Sequence, residues 1–283
     1  MEVLMTGCYG RVGTALIDHL YDRTEYDFRL LNRSDRPDDH PYGEYETVVA
    51  DVADYEPLHD ALEGTDAIVH LAAYPYTDGD WEDVLEPNVI GMYNVLQACR
   101  EQEVESVVFG STHHVMGMYE LEKVPEIYSP EFGLVLDHTD PVRPDSFYAS
   151  TKVFGEALGR FYVENYEYPK RFYSLRIGSV REAEYDNPYG DVMSGFDVDA
   201  SVDHDQEEDQ IAERKVNRMK GVWQSRRDCA HMVDRCLQDD DVEFDIFYGV
   251  SDNRRRWFDL EHARAVIGYN PQDDGEEWTE PPE

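Results

Sequence analysis

The chain opens with a short apolar run, Glu2-Val3-Leu4-Met5-Thr6, that breaks at Gly7-Cys8-Tyr9-Gly10-Arg11-Val12-Gly13 and passes at once into a helical pattern. This opening constrains the fold more than any other feature. A strand that must turn within a few residues and restart as a helix needs glycine where backbone turns tightly, where it approaches a ligand, and where helix packs on strand. Downstream, short apolar runs alternate with amphipathic periods. Strands are predicted near 2–6, 28–32, 46–50, 67–71, 106–111, 171–177 and 244–248, and helices near 11–22, 56–63, 86–102, 146–167, 226–238 and 259–267. That alternation predicts an α/β fold: a Rossmann-like, doubly wound parallel sheet with a small carboxy-terminal substrate lobe. The division expected is a dinucleotide-binding unit over 1–180, carrying the catalytic residues, and a lobe over 181–283 whose strand near 244–248 returns to the sheet.

Residues 182–217 break the rhythm, being acidic, with glycine and proline and little sustained apolar periodicity. They are expected to form a solvated insertion, placed just beyond a strand end where a lid is also possible.

Charge sets the working medium. There are 62 acidic against 25 basic residues, a net charge of −37, and the lysines are only Lys123, Lys152, Lys170, Lys215 and Lys220. In dilute buffer such a surface repels itself, whereas in about molar salt the Debye length falls to roughly 3 Å and the repulsion is screened. The composition resembles that of haloarchaeal proteins. A hydrophobic content of 41% with 12% aromatics separates it from a disordered acidic chain. With no basic stripe, nucleic acid is not an expected partner. No long apolar run or signal pattern is visible, so no membrane association and a cytoplasmic location are expected. Cys8, Cys99, Cys229 and Cys236 lack CxxC spacing and read as reduced, mostly buried thiols.

The glycine turn is a dinucleotide site in outline, with Gly7, Tyr9, Gly10, Arg11 and Val12 around the pyrophosphate. At the end of the second strand an acidic residue would hold the ribose 2′-hydroxyl of NAD. Here Asn32 stands there and Arg33 follows, with Arg11 and Arg36 as further cations for a 2′-phosphate. NADP is therefore favoured, with NAD possible. Small residues at Leu71-Ala72-Ala73, ending the fourth strand, let backbone pass close to the coenzyme.

Tyr148 and Lys152 form a YxxxK pair on a helical segment for which Asp145 is available as N-cap. Four residues apart, they project from one face. A free phenol with pKa near 10 is a poor base at neutrality, and a neighbouring ammonium together with a bound nicotinamide cation would favour phenolate. Ser111 and Thr112 end the preceding strand, where a hydroxyl can hydrogen-bond the substrate oxygen, and either can be the donor. His113 and His114 follow without metal-ligand spacing, so contacts to substrate are preferred for His113 and no metal is expected.

The runs STHHVMG, RPDSFYASTKVFGEALGRFY and SLRIGSV, with the ending YGVSDNRRRWFDLEHARAVIGYNPQD, resemble the extended short-chain dehydrogenases. Within them the resemblance is to the sugar 1-dehydrogenase branch that contains uronate dehydrogenase and haloarchaeal NAD-dependent glucose-6-phosphate dehydrogenase. It covers nearly the whole chain except 182–217. It implies that a cyclic sugar is oxidised at its anomeric carbon to a lactone, with tyrosine taking the proton and nicotinamide the hydride. It further implies Thr112 as the catalytic hydroxyl, Asp51 and Val52 at the adenine edge, Asn88 as a structural or proton-relay asparagine, and Ile177 beside the coenzyme. Ser179 would touch sugar or nicotinamide, and Arg218, by its spacing to Trp223 and Ser225, an anionic sugar group, with Lys220 and Arg226 near it. A homo-oligomer, dimer or tetramer, is implied too. Nucleotide-sugar epimerase is the alternative activity, since it would use the same groups, and a non-catalytic dinucleotide sensor is the third.

Overall fold

The computed structural model describes residues 1–189 and 208–282, side chains of 208–211 excepted. Seven parallel strands form one sheet: β1 (Glu2–Thr6), β2 (Asp27–Asn32), β3 (Thr47–Val49), β4 (Ala67–His70), β5 (Ser106–Thr112), β6 (Arg171–Ile177) and β7 (Phe244–Gly249), in the order β3-β2-β1-β4-β5-β6-β7. From β1 the chain builds outward to β3, then crosses back to lay β4 on the other side of β1. The carboxyl ends of β1 and β4 therefore flank the crevice where open α/β sheets take their ligands.

The helices are α1 (Arg11–Leu20), α2 (Tyr55–Ala61), α3 (Trp81–Val84), α4 (Gly91–Glu101), α5 (Gly117–Leu121), α6 (Phe147–Asn165), α7 (Glu208–Val222), α8 (Arg226–Gln238) and α9 (Glu261–Val266). Side-chain alternation along the strands divides the core in two. Val3 and Met5 of β1 point into one apolar cluster, with Leu30, Val69, Val108 and Leu175, while Leu4 points into the other, with Leu31, Ile68 and Val107. Both faces are covered, as a parallel sheet requires.

Three local expectations are corrected. The acidic stretch 182–217 is corrected at its end: α7 runs from Glu208 to Val222 and so takes in 208–217. Its apolar signal is diluted by charged positions, yet Met219 and Val222 are fully buried. Residues 190–207, where a lid is conceivable, lie outside the described residues. The helix read from residue 86 starts earlier, at Trp81, and passes through a π-helical segment, Leu85–Ile90, before α4. Pro87 lies within that segment and lacks the N–H that a regular α-helical ladder would use there. Finally, α6 is capped by Ser146, whose Oγ accepts from the Ala149 N–H at 3.2 Å, and not by Asp145. Asp145 is engaged elsewhere.

Candidate active site

The turn after β1 is tight because its glycines have no room for a side chain. Gly7 sits at φ +68°, and a Cβ there would lie 2.7 Å from the Ala72 amide nitrogen; at Gly13 it would lie 2.4 Å from the Cys8 carbonyl oxygen. The Thr6 hydroxyl lies 3.2 Å from the Leu71 and Ala72 amides, locking the ends of β1 and β4 together. Gly10 caps α1 without a side chain, and no acidic residue occupies the first turn. In a chain this acidic, a bare and acid-free helix N-terminus suits a pyrophosphate, through its free N–H groups and the positive end of the helix dipole.

Around this cradle, Tyr9 is buried and carries the Arg36 guanidinium over its ring at 4.7 Å. The Nε of Arg36 is buried with no hydrogen-bond partner. Asn32 donates to the Ser34 carbonyl at 2.9 Å, while Arg33 and Arg11 are exposed, Arg11 lying 3.6 Å from Glu182. Past β3, Asp51 turns back to accept from the Ala53 N–H at 2.9 Å, and Val52 is buried, its carbonyl held by Asn94. Val12, Leu71, Ala72 and Ala73 are half-buried and Ile177 is buried.

The second half of the site hangs on α6. Tyr148, Lys152 and Glu156 repeat every four residues and so face the sheet together. Burial pushes the Tyr148 phenol pKa up to about 12, the Thr112 hydroxyl at the end of β5 draws it back and Asp145 adds to the rise; the Thr112 Oγ1 accepts from the His114 N–H at 3.2 Å. Lys152 is 4% exposed and has no carboxylate partner; burial alone pulls its pKa down to about 7. Its ammonium nitrogen lies 4.8 Å from the Phe109 ring centroid and 5.9 Å from that of Tyr148. His70, on β4, is held near pKa 3 by burial and by Lys152, and is neutral. The lysine is thus buried with no carboxylate beside it, and burial outweighs the pull of Thr112 on the phenol.

Asn88, buried in the π-helical segment, accepts from the Tyr74 N–H at 2.7 Å and donates to Thr151 at 3.0 Å, tying that segment to α6 beside Lys152. Ser111 donates to Glu156 at 2.7 Å. Glu156 also receives Arg176 through both oxygens at 3.0 and 2.9 Å, so the Ser111 hydroxyl belongs to a buried ionic knot and Thr112 is the hydroxyl that acts on the phenol pKa.

On the substrate side, the His113 Nδ1 lies 3.1 Å from the Ile177 carbonyl oxygen and its Nε2 3.4 Å from Arg218; burial, His114 and Arg218 hold its pKa well below the ordinary value, so it is neutral. Ser179 is clamped by backbone, its N–H donating to the Val222 carbonyl at 2.8 Å and its carbonyl accepting from Gln224. Arg218 reaches the same region from α7 and is paired with buried Glu120, Nε to Oε1 at 2.6 Å and Nη2 to Oε2 at 3.4 Å; Tyr128 donates to Glu120 at 2.8 Å. Lys220 and Arg226 do not join it. Lys220 donates to the Trp278 carbonyl, and Arg226 binds Asp18 of α1 at 2.5 Å.

Sequence reasoning missed three members of this site. Glu120 and Glu156 carry no local motif. Asp145 accepts from His114 at 2.6 Å; burial works to raise its pKa, but the His114 contact overrides this and leaves the carboxyl below its usual range. Gly117 leaves the room, since a Cβ there would overlap Asp145.

A parallel sheet with a glycine cradle at its switch point, and a tyrosine-lysine helix against the adjacent strand end, define a dinucleotide-dependent oxidoreductase of the short-chain type. The chain belongs to the NAD dependent epimerase/dehydratase family, whose model matches residues 3–190. It is 33% identical to an NAD-dependent glucose-6-phosphate dehydrogenase of Haloferax volcanii, over 98% of this chain and 95% of that protein. An L-arabinose 1-dehydrogenase (NAD(P)(+)) of the same organism is 31% identical, over 96% of each. Among solved structures, glucuronic acid dehydrogenase from Chromohalobacter salexigens superimposes with a TM-score of 0.74 at 27% identity, covering 98% of this chain and 86% of that one. Among the described residues no helix is long and apolar enough to cross a membrane.

Proposed function

We propose that the protein is a sugar 1-dehydrogenase that oxidises the anomeric carbon of a free cyclic sugar to a lactone and prefers NADP to NAD. The observation that carries this reading is the buried Lys152, without a carboxylate partner, one helical turn from Tyr148 on α6 with its nitrogen 5.9 Å from that ring, and the Thr112 hydroxyl that draws down the phenol pKa. The bound coenzyme would supply the hydride acceptor. Tyr148 takes the proton of the anomeric hydroxyl, Thr112 donates a hydrogen bond to that oxygen as the carbonyl forms, and Lys152 keeps a positive charge near the phenol. Gly7, Gly10 and the α1 amides hold the pyrophosphate, Tyr9, Asp51 and Val52 flank the adenosine, and Asn88 fixes α6.

The preference for NADP rests on Asn32, which places no carboxylate against a 2′-phosphate, and on Arg33 and Arg36. The unsatisfied Arg36 Nε supports this reading. For the substrate, His113, Ser179 and Arg218 offer hydrogen bonds to ring hydroxyls. A uronate or sugar phosphate would have to compete with Glu120 for the Arg218 guanidinium, so the pair favours a neutral aldose. The test is a panel of free aldoses, uronates and sugar phosphates with each coenzyme in molar potassium chloride, read by reduced-coenzyme absorbance. Net reduction with an aldose, faster with NADP, is expected. Reaction with UDP-sugars alone, without net reduction, would establish the epimerase instead.

A further inference from the structure

Away from the catalytic face, His138, Asp245 and His262 each place one ligand-capable atom within 4.8 Å of the other two. We propose that these three residues form a binding site for a borderline divalent transition ion of the zinc class.

The contributing segments are separate in sequence and are held by their backbones. Asp245 lies on the edge strand β7, His262 in the first turn of α9, and His138 in the loop that leads toward α6. The loop is clamped to the chain entering α9, because the Leu136 N–H donates to the Trp257 carbonyl at 2.8 Å and the Asp259 N–H to the Leu136 carbonyl at 2.9 Å. Asp259 in turn accepts from the His262 N–H at 2.9 Å. The three side chains therefore meet because the fold fixes their Cα positions, not by a chance of long flexible chains.

The chemistry of the donor set is selective. Two imidazoles and one carboxylate suit zinc, nickel or copper, whereas magnesium and calcium favour all-oxygen shells. The His262 Nε2 hydrogen-bonds the Asp245 carboxylate at 2.9 and 3.0 Å, so the two groups already converge and an ion would enter by replacing the proton between them. The His138 ring stacks on that of His262 at 3.9 Å between centroids, with planes 15° apart. Stacked rings hold their nitrogens side by side, so coordination needs the two imidazoles to fan apart by side-chain rotation. The independent sign of a ligand is the His138 Nδ1, which is buried and has no hydrogen-bond partner. Leaving such a nitrogen unpaired is unfavourable, and an ion would remove that cost. The His262 and Asp245 side chains are 26% and 20% exposed, which gives the ion a way in and leaves a position for water.

The consequence reaches the substrate pocket. Leu136 pairs with Phe258, whose ring meets His113 at 5.9 Å and Tyr248 at 4.7 Å. An ion joining β7, α9 and this loop would stiffen the wall behind His113 without touching the reacting atoms.

The test uses the full chain in molar potassium chloride, stripped by chelator and titrated calorimetrically with zinc ion in the presence of excess magnesium, which occupies the acidic surface. One saturable zinc per chain is expected, weakened at least tenfold in His138→Ala and in His262→Ala, with a rise in Tm on zinc addition seen only in the unmodified protein. Circular dichroism checks that the variants fold, and X-ray absorption of the zinc-loaded unmodified protein must show imidazole scattering whether or not they do. Absence of a one-to-one event, equal binding in the double variant, or an oxygen-only shell would overturn the site.

Discussion

In the proposed function, the coenzyme side and the sugar side of this crevice are built by different means. The coenzyme cradle is backbone: Gly7 at φ +68° against Ala72, a bare α1 N-terminus, and amides anchored by Thr6. The sugar side is a mosaic of side chains from distant segments, in which His113 lies between Ile177 and Arg218 and Arg218 is bound to Glu120 across 98 residues of sequence. Backbone geometry accepts few substitutions, whereas a side-chain mosaic changes specificity by single residues. One half can therefore be common to many dehydrogenases while the other decides which sugar enters.

The comparison can be broken at four places, taken from the largest effect down. If Tyr148 is the proposed base and serves neither binding surface, Tyr148→Phe should lower turnover by about a thousandfold with coenzyme affinity changed by no more than about threefold, measured by steady-state rates and fluorescence titration. A parallel loss of coenzyme binding would mean that the phenol is part of the cradle.

Next comes the cradle itself. Gly7→Ala forces a Cβ onto backbone in a left-handed conformation and should cost about 2–4 kcal/mol of stability. Gly64→Ala, at φ +73° but with nothing within 4 Å, should cost only about 1–2 kcal/mol. Chemical denaturation in molar salt separates the two, and equal losses would remove the argument for close approach.

The buried lysine gives an effect of opposite sign. Its folded pKa of about 7 is below the unfolded value, so between those values the unfolded chain binds the extra proton. The penalty is fully present below about pH 7 and fades as the pH rises toward 10.5. Lys152→Met should therefore abolish activity yet stabilise the protein by on the order of 1–4 kcal/mol at pH 7, with the gain shrinking through pH 10. A gain that does not depend on pH would show that the lysine is not desolvated as described.

The smallest effect belongs to the mosaic. Glu120→Gln removes the charge opposite Arg218 and should lower the KM for a uronate or sugar phosphate about tenfold relative to a neutral aldose. Unchanged selectivity would place the anionic group of such substrates elsewhere.

The same contrast explains what could be read before the structure. β1, β6 and α8 fall at the bounds given by apolar periodicity, and Tyr148 and Lys152 lie one turn apart on α6 as their spacing implies, because strand, turn and helix are local codes. α7 escaped since its charged positions hide a face that only tertiary contact buries. Asp145 satisfies every local rule for an N-cap, yet His114 offers it a stronger partner and Ser146 takes the cap. Glu120, Glu156 and the His138–Asp245–His262 group are juxtapositions made by topology, and no window of sequence contains them.

In the proposed reaction hydride leaves the anomeric carbon. The direct measurement is turnover of a substrate aldose deuterated at C1, with mass spectrometry of coenzyme and sugar product. The account predicts one deuterium in each reduced coenzyme and an unlabelled lactone, slowed by a primary isotope effect wherever chemistry limits the rate. Deuterium kept in the sugar while unlabelled coenzyme is reduced would contradict it.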